Sequence, residues 1–99
     1  MLHIVNKSPT ERASFESCLA HALPGHALLL IEDGVYAATR GSPGAARLAR
    51  LAPEIKVYVL SPDLEARALG KSLVEGVRAV DYRGFVELVA AHPRVQSWL

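Results

Sequence analysis

The chain has 99 residues, of which 51% are hydrophobic and 21% charged, a composition typical of one globular domain rather than of a disordered segment. Its 11 basic and 10 acidic residues give a formal net charge of +1, which argues against a dedicated nucleic-acid-binding domain. The single cysteine excludes an intramolecular disulfide and a zinc site built mainly from cysteines. The longest apolar run, residues 27–31, is too short to span a membrane, and the first residues lack the basic start and long apolar region of a signal peptide, so we expect a cytoplasmic protein.

Four short apolar runs predict the strands of a sheet. They comprise residues 2–5, 27–31, 57–60 and 77–80. The second and third runs are continuous and rich in branched side chains, a pattern typical of strands buried on both faces of a parallel sheet. The fourth run is less purely apolar, which favours a position nearer an edge. The tail, residues 95–99, is expected to form a last short strand or to pack as an extended segment.

The first connection has three signals for the start of a helix. Ser8 is a potential N-cap residue, Pro9 suits the first helical position, and Glu11 has the spacing of a capping box. The helix then has an apolar stripe at helical spacing: Phe15, Cys18, Leu19 and Ala22. Pro24 and Gly25 end it.

Three further helices are predicted in the later connections. Residues 43–51 form one, residues 61–63 have the cap, proline and acidic residue of another helix start, and Asp81 caps a last helix that runs to about Ala91. The alternation of strands and helices indicates a parallel sheet, and right-handed crossovers place the helices in two layers. We therefore predict an α/β fold over residues 1–99 as a single domain, a three-layer α/β/α sandwich with a four- to five-stranded, mainly parallel sheet.

The carboxyl ends of the predicted strands, where ligands of open α/β sheets bind, have no phosphate-binding loop. Neither GxGxxG nor GxxxxGK[ST] occurs, which argues against nucleotide binding, and we expect no metal or organic cofactor. Glu32 and Asp33 could form a paired-carboxylate or metal site, but Asp33-Gly34 is favourable turn chemistry, and we favour a turn. The whole connection 32–42 is long for so compact a chain, so we expect it to be functional or buried against a partner.

Cys18 is the one residue whose chemistry nothing else in the chain can replace. His21 follows it by three residues and lies on an adjacent helical face, where a protonated imidazole would lower the pKa of the thiol. The alternative is that Cys18 is a small buried hydrophobe on the apolar stripe. One cysteine and one histidine supply only two ligands, so the pair does not predict a zinc site.

Seven segments of the chain resemble the TusB/DsrH family. They include MLHIVNKSP at the start, LLLIEDGVYAA from the second predicted strand onward, and VQSWL at the end. The full set is residues 1–9, 16–19, 28–38, 56–60, 63–67, 80–86 and 95–99. Each segment is short, but together they cover essentially the whole chain in order.

The resemblance implies a DsrEFH-like fold and the role of one subunit in a sulfur relay. Members of the family are the smallest of three related subunits in an α2β2γ2 heterohexamer that passes sulfur as a cysteine persulfide. In the TusBCD complex the sulfur goes toward 2-thiolation of the wobble uridine in certain tRNAs, and in DsrEFH it serves sulfur oxidation. The implied partners are the TusC/DsrF-type and TusD/DsrE-type subunits and an acceptor of the TusE/DsrC type, with no direct binding of nucleic acid or membrane.

The same resemblance bears on Cys18. The principal persulfide cysteine belongs to the TusD/DsrE-type partner, and DsrH-type members have a cysteine at the position of Cys18 that some TusB members lack. We expect the TusB role, in which the chain does not catalyse a reaction alone, Cys18 is partly accessible as an auxiliary persulfide site, and His21 modulates the pKa of its thiol. The alternatives are the DsrH role in sulfur oxidation, a purely structural subunit with an inert thiol, and an unrelated small-ligand module that uses the strand ends. We also expect residues 35–51 and Trp98 to be largely interface.

Overall fold

Strands and helices alternate along the chain in the computed structural model, which describes residues 1–10, 13–51 and 53–98. Within these residues five strands form one sheet: β1 (Leu2–Val5), β2 (Ala27–Leu30), β3 (Lys56–Leu60), β4 (Val77–Val80) and β5 (Val95–Trp98). Their order across the sheet is β4-β3-β2-β1-β5, and every neighbouring pair is parallel. The predicted α/β fold class is confirmed, and β4 lies at an edge as expected. The tail forms β5, apart from Leu99, which lies outside the described residues.

Four α-helices and one 3-10 helix connect the strands in the described part of the chain. They are α1 (Ser14–His21), the 3-10 helix (Glu32–Ala38), α2 (Pro43–Ala49), α3 (Ser61–Ala66) and α4 (Tyr82–Ala91). The 3-10 helix occupies most of the connection 32–42, for which the sequence predicts no regular element. Among the described residues, none of the helices has the length and apolar character needed to cross a membrane.

The direction of the connections explains which face of the sheet each helix covers. From β1 to β4 the chain steps three times in the same direction, and right-handed crossovers therefore place α1, the 3-10 helix with α2, and α3 on one face. The last connection returns across the sheet from β4 to β5, so α4 lies on the opposite face. The expected three layers are present, but they are unequal, because one layer has a single α-helix.

The larger core lies between the sheet and the face with several helices. Each of those helices contributes to it, with Phe15, Val35, Leu48 and Leu64 among the contributors, and they pack with strand residues such as Leu28. Phe15, Leu28 and Val35 are at most 1% exposed. Burying a large apolar side chain contributes about 1.5–3 kcal/mol, so this core is the main source of stability.

The smaller core lies between the sheet and α4. Leu2, Ala27 and Leu29 are buried there, and Phe85 and Leu88 of α4 pack against them while remaining partly exposed. No residue of α4 is itself buried. This face of the sheet therefore has a much thinner cover than the other.

The predicted start of α1 at Ser8 is wrong. The helix begins at Ser14, with Ala13 at the N-cap position and no side-chain cap. The Ser8 hydroxyl instead accepts the backbone N–H of Thr10 at 3.3 Å, so the chemistry of a cap closes a local turn. Glu11, the other member of the predicted capping box, lies outside the described residues.

The other helix starts follow the sequence signals more closely. Asp81 caps α4 as predicted, by accepting the backbone N–H of Gly84 at 2.8 Å. Ser42 caps α2 in the same way. α3 begins at Ser61, but the N-cap residue is Leu60 and no side chain caps the helix, so the predicted capping role of Ser61 is wrong.

Candidate functional site

Cys18 lies in the middle of α1 with its side chain in the larger core. It is 0% exposed and packs there with Phe15 and Leu19. Because burial disfavours the charged form of a thiol, it raises the pKa of Cys18 to about 12. At pH 7 such a thiol is therefore almost entirely protonated. The expected partial accessibility of Cys18 is therefore wrong for this chain, because the apolar stripe packs on the sheet at Cys18 instead of ending at the surface.

His21, the last residue of α1, contacts the backbone of its own helix and the ring of Trp98. Its Nδ1 donates to the backbone carbonyl of Ser17 at 2.7 Å, and its ring centroid lies 5.2 Å from that of Trp98. The raised pKa of Cys18 is caused by desolvation, with no contribution from His21. The structure thus places His21 beside β5 and gives it no contact through which it would activate the thiol.

The imidazole of His3 joins three elements beneath the end of α1. Trp98 of β5 donates its indole N–H to Nδ1 of His3 at 3.1 Å, and Nε2 of His3 lies 2.9 Å from Nδ1 of His26, which precedes β2. The backbone N–H of Leu23 donates to the same Nδ1 of His26 at 3.2 Å. His3 is only 1% exposed. In the sequence, the alternation of side chains along β1 is the one sign that this imidazole points into the larger core.

The carboxylates at the carboxyl ends of the strands link the 3-10 helix to α3. Asp33 accepts two hydrogen bonds from the guanidinium of Arg67, at 3.0 and 2.9 Å, and Asp63 accepts the backbone N–H of Glu32 at 2.7 Å. The favoured turn at this position is the first turn of the 3-10 helix. Within residues 1–10, 13–51 and 53–98, no group of three or more His, Cys, Asp or Glu side chains is placed to bind a metal.

Gly34 determines how closely the 3-10 helix approaches β1. A Cβ atom added at Gly34 would lie 2.3 Å from the backbone oxygen of Val5, so the contact is between two backbones.

The residues that follow, such as Val35 and Ala37, are 0% exposed in the larger core. The buried residues of 35–51 therefore belong to the core of their own chain and not to an interface, whereas an interface role for the exposed residues of this segment stays a prediction. The polar contact of Trp98 is likewise made within the chain.

A row of exposed apolar side chains lies along α4. This row, the α4 stripe, consists of Tyr82, Val86 and Val89, which are 63%, 65% and 36% exposed and follow the spacing i, i+4, i+7. It lies beside the face that Phe85 and Leu88 turn toward the smaller core. Contiguous apolar side chains on the surface of a small domain usually mark a contact with another protein.

Known proteins resemble this chain along nearly its whole length. The family described as "DsrH like protein" matches residues 7–95. Protein TusB of Pectobacterium parmentieri is 39% identical over 98 residues, which cover 99% of this chain and 100% of that protein. Protein TusB of Escherichia coli strain K12 is 40% identical with the same coverage.

Solved structures share the fold at much lower sequence identity. The crystal structure of the YchN protein from E. coli superposes with a TM-score of 0.79 at 18% identity and covers 97% of each chain. The solution NMR structure of protein Tm0979 from Thermotoga maritima gives a TM-score of 0.65 at 20% identity, covering 95% of this chain and 97% of that one. The match to the family over residues 7–95 and the 39% identity to a TusB protein along nearly the whole chain show that this chain belongs to the TusB/DsrH family.

Proposed function

We propose that this chain is the TusB-type subunit of a cytoplasmic sulfur-relay complex. In this proposal it forms an α2β2γ2 heterohexamer with two paralogues, of the TusC and TusD types, and the complex passes persulfide sulfur to a TusE-type acceptor. The sulfur goes toward 2-thiolation of the tRNA wobble uridine. The supporting observation is family membership along nearly the whole chain, since relatives named TusB match 99% of this chain over 100% of their own length.

Within the complex, this chain supports the assembly and a partner's cysteine holds the sulfur. Persulfide exchange needs an accessible thiolate. Cys18 is the single cysteine of the chain, and its burial keeps it protonated at neutral pH. The geometry therefore favours the structural alternative. An auxiliary persulfide on Cys18, modulated by His21, stays a prediction that labelling can test.

We assign the α4 stripe to the contact with a paralogous subunit. The topology leaves this face of the sheet with one α-helix, so a partner element that packs on α4 would bury apolar surface that the chain alone leaves in water. Arg83 and Glu87 flank the stripe and pair with each other at 3.5 Å. An apolar centre with a charged rim is the usual composition of a protein interface.

Co-expression tests the assembly and the assigned surface together. The chain is produced with its TusC- and TusD-type paralogues, and light scattering measures the mass of the complex, which we expect to be a hexamer. Val86→Glu would bury a charge at an apolar contact and is expected to release the chain from the complex. Ala20→Glu, at an exposed position of α1, is the matched control and is expected to assemble normally. A wild-type chain that stays monomeric beside both paralogues contradicts the proposal, whereas normal assembly of Val86→Glu contradicts only the assigned surface.

Deletion of the gene tests which reaction the complex serves. Mass spectrometry of digested tRNA is expected to show loss of the 2-thiolated wobble uridine, with restoration by the intact gene. The presence of Cys18 favours a second candidate, the DsrH role in sulfur oxidation, because the resemblance associates a cysteine at this position with DsrH-type members. Unchanged tRNA thiolation together with lost sulfur oxidation would support this second candidate and contradict the first.

A further inference from the structure

The N–H groups of Trp98 and Leu23, which can only donate hydrogen bonds, determine which ring nitrogens of His3 and His26 bear protons. An indole N–H has no acceptor capacity, so Nδ1 of His3 is the unprotonated acceptor of Trp98. Nε2 of His3 then bears the proton and donates to Nδ1 of His26 over 2.9 Å. The backbone N–H of Leu23 donates to that same nitrogen, so it is also unprotonated. Both rings are therefore neutral Nε2–H tautomers.

Protonation of either ring breaks this chain of hydrogen bonds. A proton on Nδ1 of His3 would face the indole N–H of Trp98. A proton on Nδ1 of His26 would face Nε2–H of His3 and drive His3 into the other tautomer, which cannot accept from Trp98. In both cases two donors meet with no acceptor between them, and water cannot readily take their place because His3 is 1% exposed.

The groups around His3 oppose a positive charge on its ring. Burial lowers the pKa of His3 below 6.5, and the charges of His26, of the amino group of Met1 and of His21 lower it further. These groups come from Met1, which precedes β1, from the turn before β2 and from α1. Each of them is a basic group, so none of them offsets a positive charge on His3.

The groups around His26 also disfavour a positive charge on its ring, apart from the carboxylate of Glu54. Burial, the amino group of Met1 and the imidazole of His92, which follows α4, lower the pKa of His26 below 6.5. Lys56 and Glu54 line an open cavity of about 440 Å³ together with His26 and His92. Glu54 is the carboxylate of this set, and it is exposed to solvent, where its charge is screened.

Trp98 is the residue of β5 that anchors this strand. Val95, Gln96 and Ser97 are exposed, and Trp98 packs against the larger core. β5 is an edge strand with a partner, β1, on one side only. Loss of the bond between Trp98 and His3 therefore removes a polar side-chain attachment and leaves this edge with its ladder to β1 and the apolar packing of Trp98.

We propose that His3 and His26 form a pH-sensitive latch for β5, which holds Trp98 while both imidazoles are neutral and loosens the strand when either is protonated. Because both pKa values lie below 6.5, the latch is closed above pH 6.5 and opens as the pH falls below it. The latch is a property of the isolated chain and does not depend on the sulfur relay.

Nuclear magnetic resonance of the intact, nitrogen-15-labelled chain tests the latch directly. At about pH 7.5, long-range proton–nitrogen spectra are expected to show the Nε2–H tautomer for both His3 and His26. Trp98 is the single tryptophan, so its indole N–H gives one signal, which we expect to shift with a midpoint below pH 6.5. Amide exchange in β5 is expected to accelerate roughly tenfold relative to β3 between about pH 7.5 and pH 5. An Nδ1–H tautomer of His3, or an indole signal that ignores pH, overturns the proposal.

Two variants separate the latch from general loosening in acid. His3→Gln supplies an amide oxygen that accepts from Trp98 and does not titrate, so exchange in β5 relative to β3 is expected to be the same at both pH values. His21→Gln is the matched control, because that ring lies 5.2 Å from the Trp98 ring but bonds to Ser17, and its pH response is expected to remain. A His3→Gln chain whose β5 loosens in acid as in the wild type overturns the proposal. If that variant does not fold, the wild-type tautomers and the indole titration decide.

Discussion

Trp98 and His3 are 95 positions apart in the chain, and a hydrogen bond of 3.1 Å joins the indole N–H of one to Nδ1 of the other. It adds a side-chain connection to the parallel ladder between β5 and β1. β5 is an edge strand, and three of its four residues are exposed. The hydrogen bond from Trp98 to the buried imidazole of His3 therefore helps to hold this edge of the sheet in place.

Acidification is expected to destabilise the chain as the pH falls below 6.5. The pKa values of His3 and His26 are lowered mainly by burial, so the unfolded chain, in which both titrate near 6.5, binds more protons. The stability contributed by the neutral pair is complete above pH 6.5 and is lost below it. Urea unfolding at about pH 8, 6.5 and 5 measures this loss. His3→Gln should lose less stability over that range, and an equal loss would contradict the assignment.

The ion pair between Arg47 and Glu16 does not account for a loss of stability between about pH 6.5 and pH 5. A bidentate bond from Arg47 lowers the pKa of Glu16 below its usual 4.5, so this carboxylate contributes stability that is lost only near and below pH 4.5. Glu16→Gln is therefore expected to leave the stability change between about pH 8 and 5 unaltered. A smaller change in that variant would show that carboxylates share in the effect.

Cys18 is expected to be unreactive in the folded chain. A bulky thiol reagent should label no cysteine in native protein and one cysteine in denaturant, because the thiol is buried and protonated. Incubation of the assembled complex with a persulfide donor, followed by mass spectrometry of each subunit, should add no sulfur to this chain. Rapid labelling of the native thiol, or sulfur on Cys18, would instead support the auxiliary persulfide site.

Cys18→Ser is expected to destabilise the chain by about 1–3 kcal/mol despite its small change in volume, because a hydroxyl would enter an apolar site without a partner. Cys18→Ala is the control, since it removes the sulfur without adding a polar group, and we expect it to be the more stable of the two variants. Thermal unfolding measures both, at about 4–8 °C for each kcal/mol in a domain of this size. A serine variant as stable as the wild type would contradict the burial of Cys18.

Gly34→Ala is expected to destabilise the chain by about 1–3 kcal/mol, because the added methyl group would force the 3-10 helix away from β1. Gly70→Ala is the matched control, since no atom lies within 4 Å of the position of its added Cβ. Urea unfolding of both variants gives the comparison. Equal stability of the two would mean that the approach of Gly34 to Val5 is easily relaxed.

Most strands and the starts of α2 and α4 could be predicted because their signals are local. β2 and β3 are continuous apolar runs, and such runs fit the interior of a parallel sheet. Asp81 begins α4 by a hydrogen bond to a residue three positions later, so the cap and its acceptor are visible together in the sequence.

The start of α1 and the 3-10 helix could not be predicted, because local patterns there permit more than one structure. A serine followed by proline serves a turn as well as a helix start, and Ser8 closes a turn. The buried residues of the 3-10 helix are mostly small, such as Ala37 and Ala38, so the sequence shows no periodic pattern of large apolar side chains there.

The candidate site depends on contacts between distant residues, which the sequence pattern does not show. His3 bonds with side chains 23 and 95 positions away, and neither partner can be chosen before the strand order is known. Cys18 is the opposite case. Its helical spacing with Phe15 and Leu19 predicts burial, which the structure shows, whereas the family resemblance favours an accessible thiol.

The return of the chain from β4 to β5 has a consequence for synthesis on the ribosome. The first four strands and the three crossovers that cover one face of the sheet are made before α4 and β5, since synthesis proceeds from the N-terminus. The face formed by Leu2, Ala27 and Leu29 stays bare until α4 leaves the exit tunnel. Pairing of β5 with β1 spans nearly the whole chain and comes last. The nascent protein thus offers an apolar surface and an open sheet edge for a short interval, in which a chaperone or a subunit made nearby can bind it first.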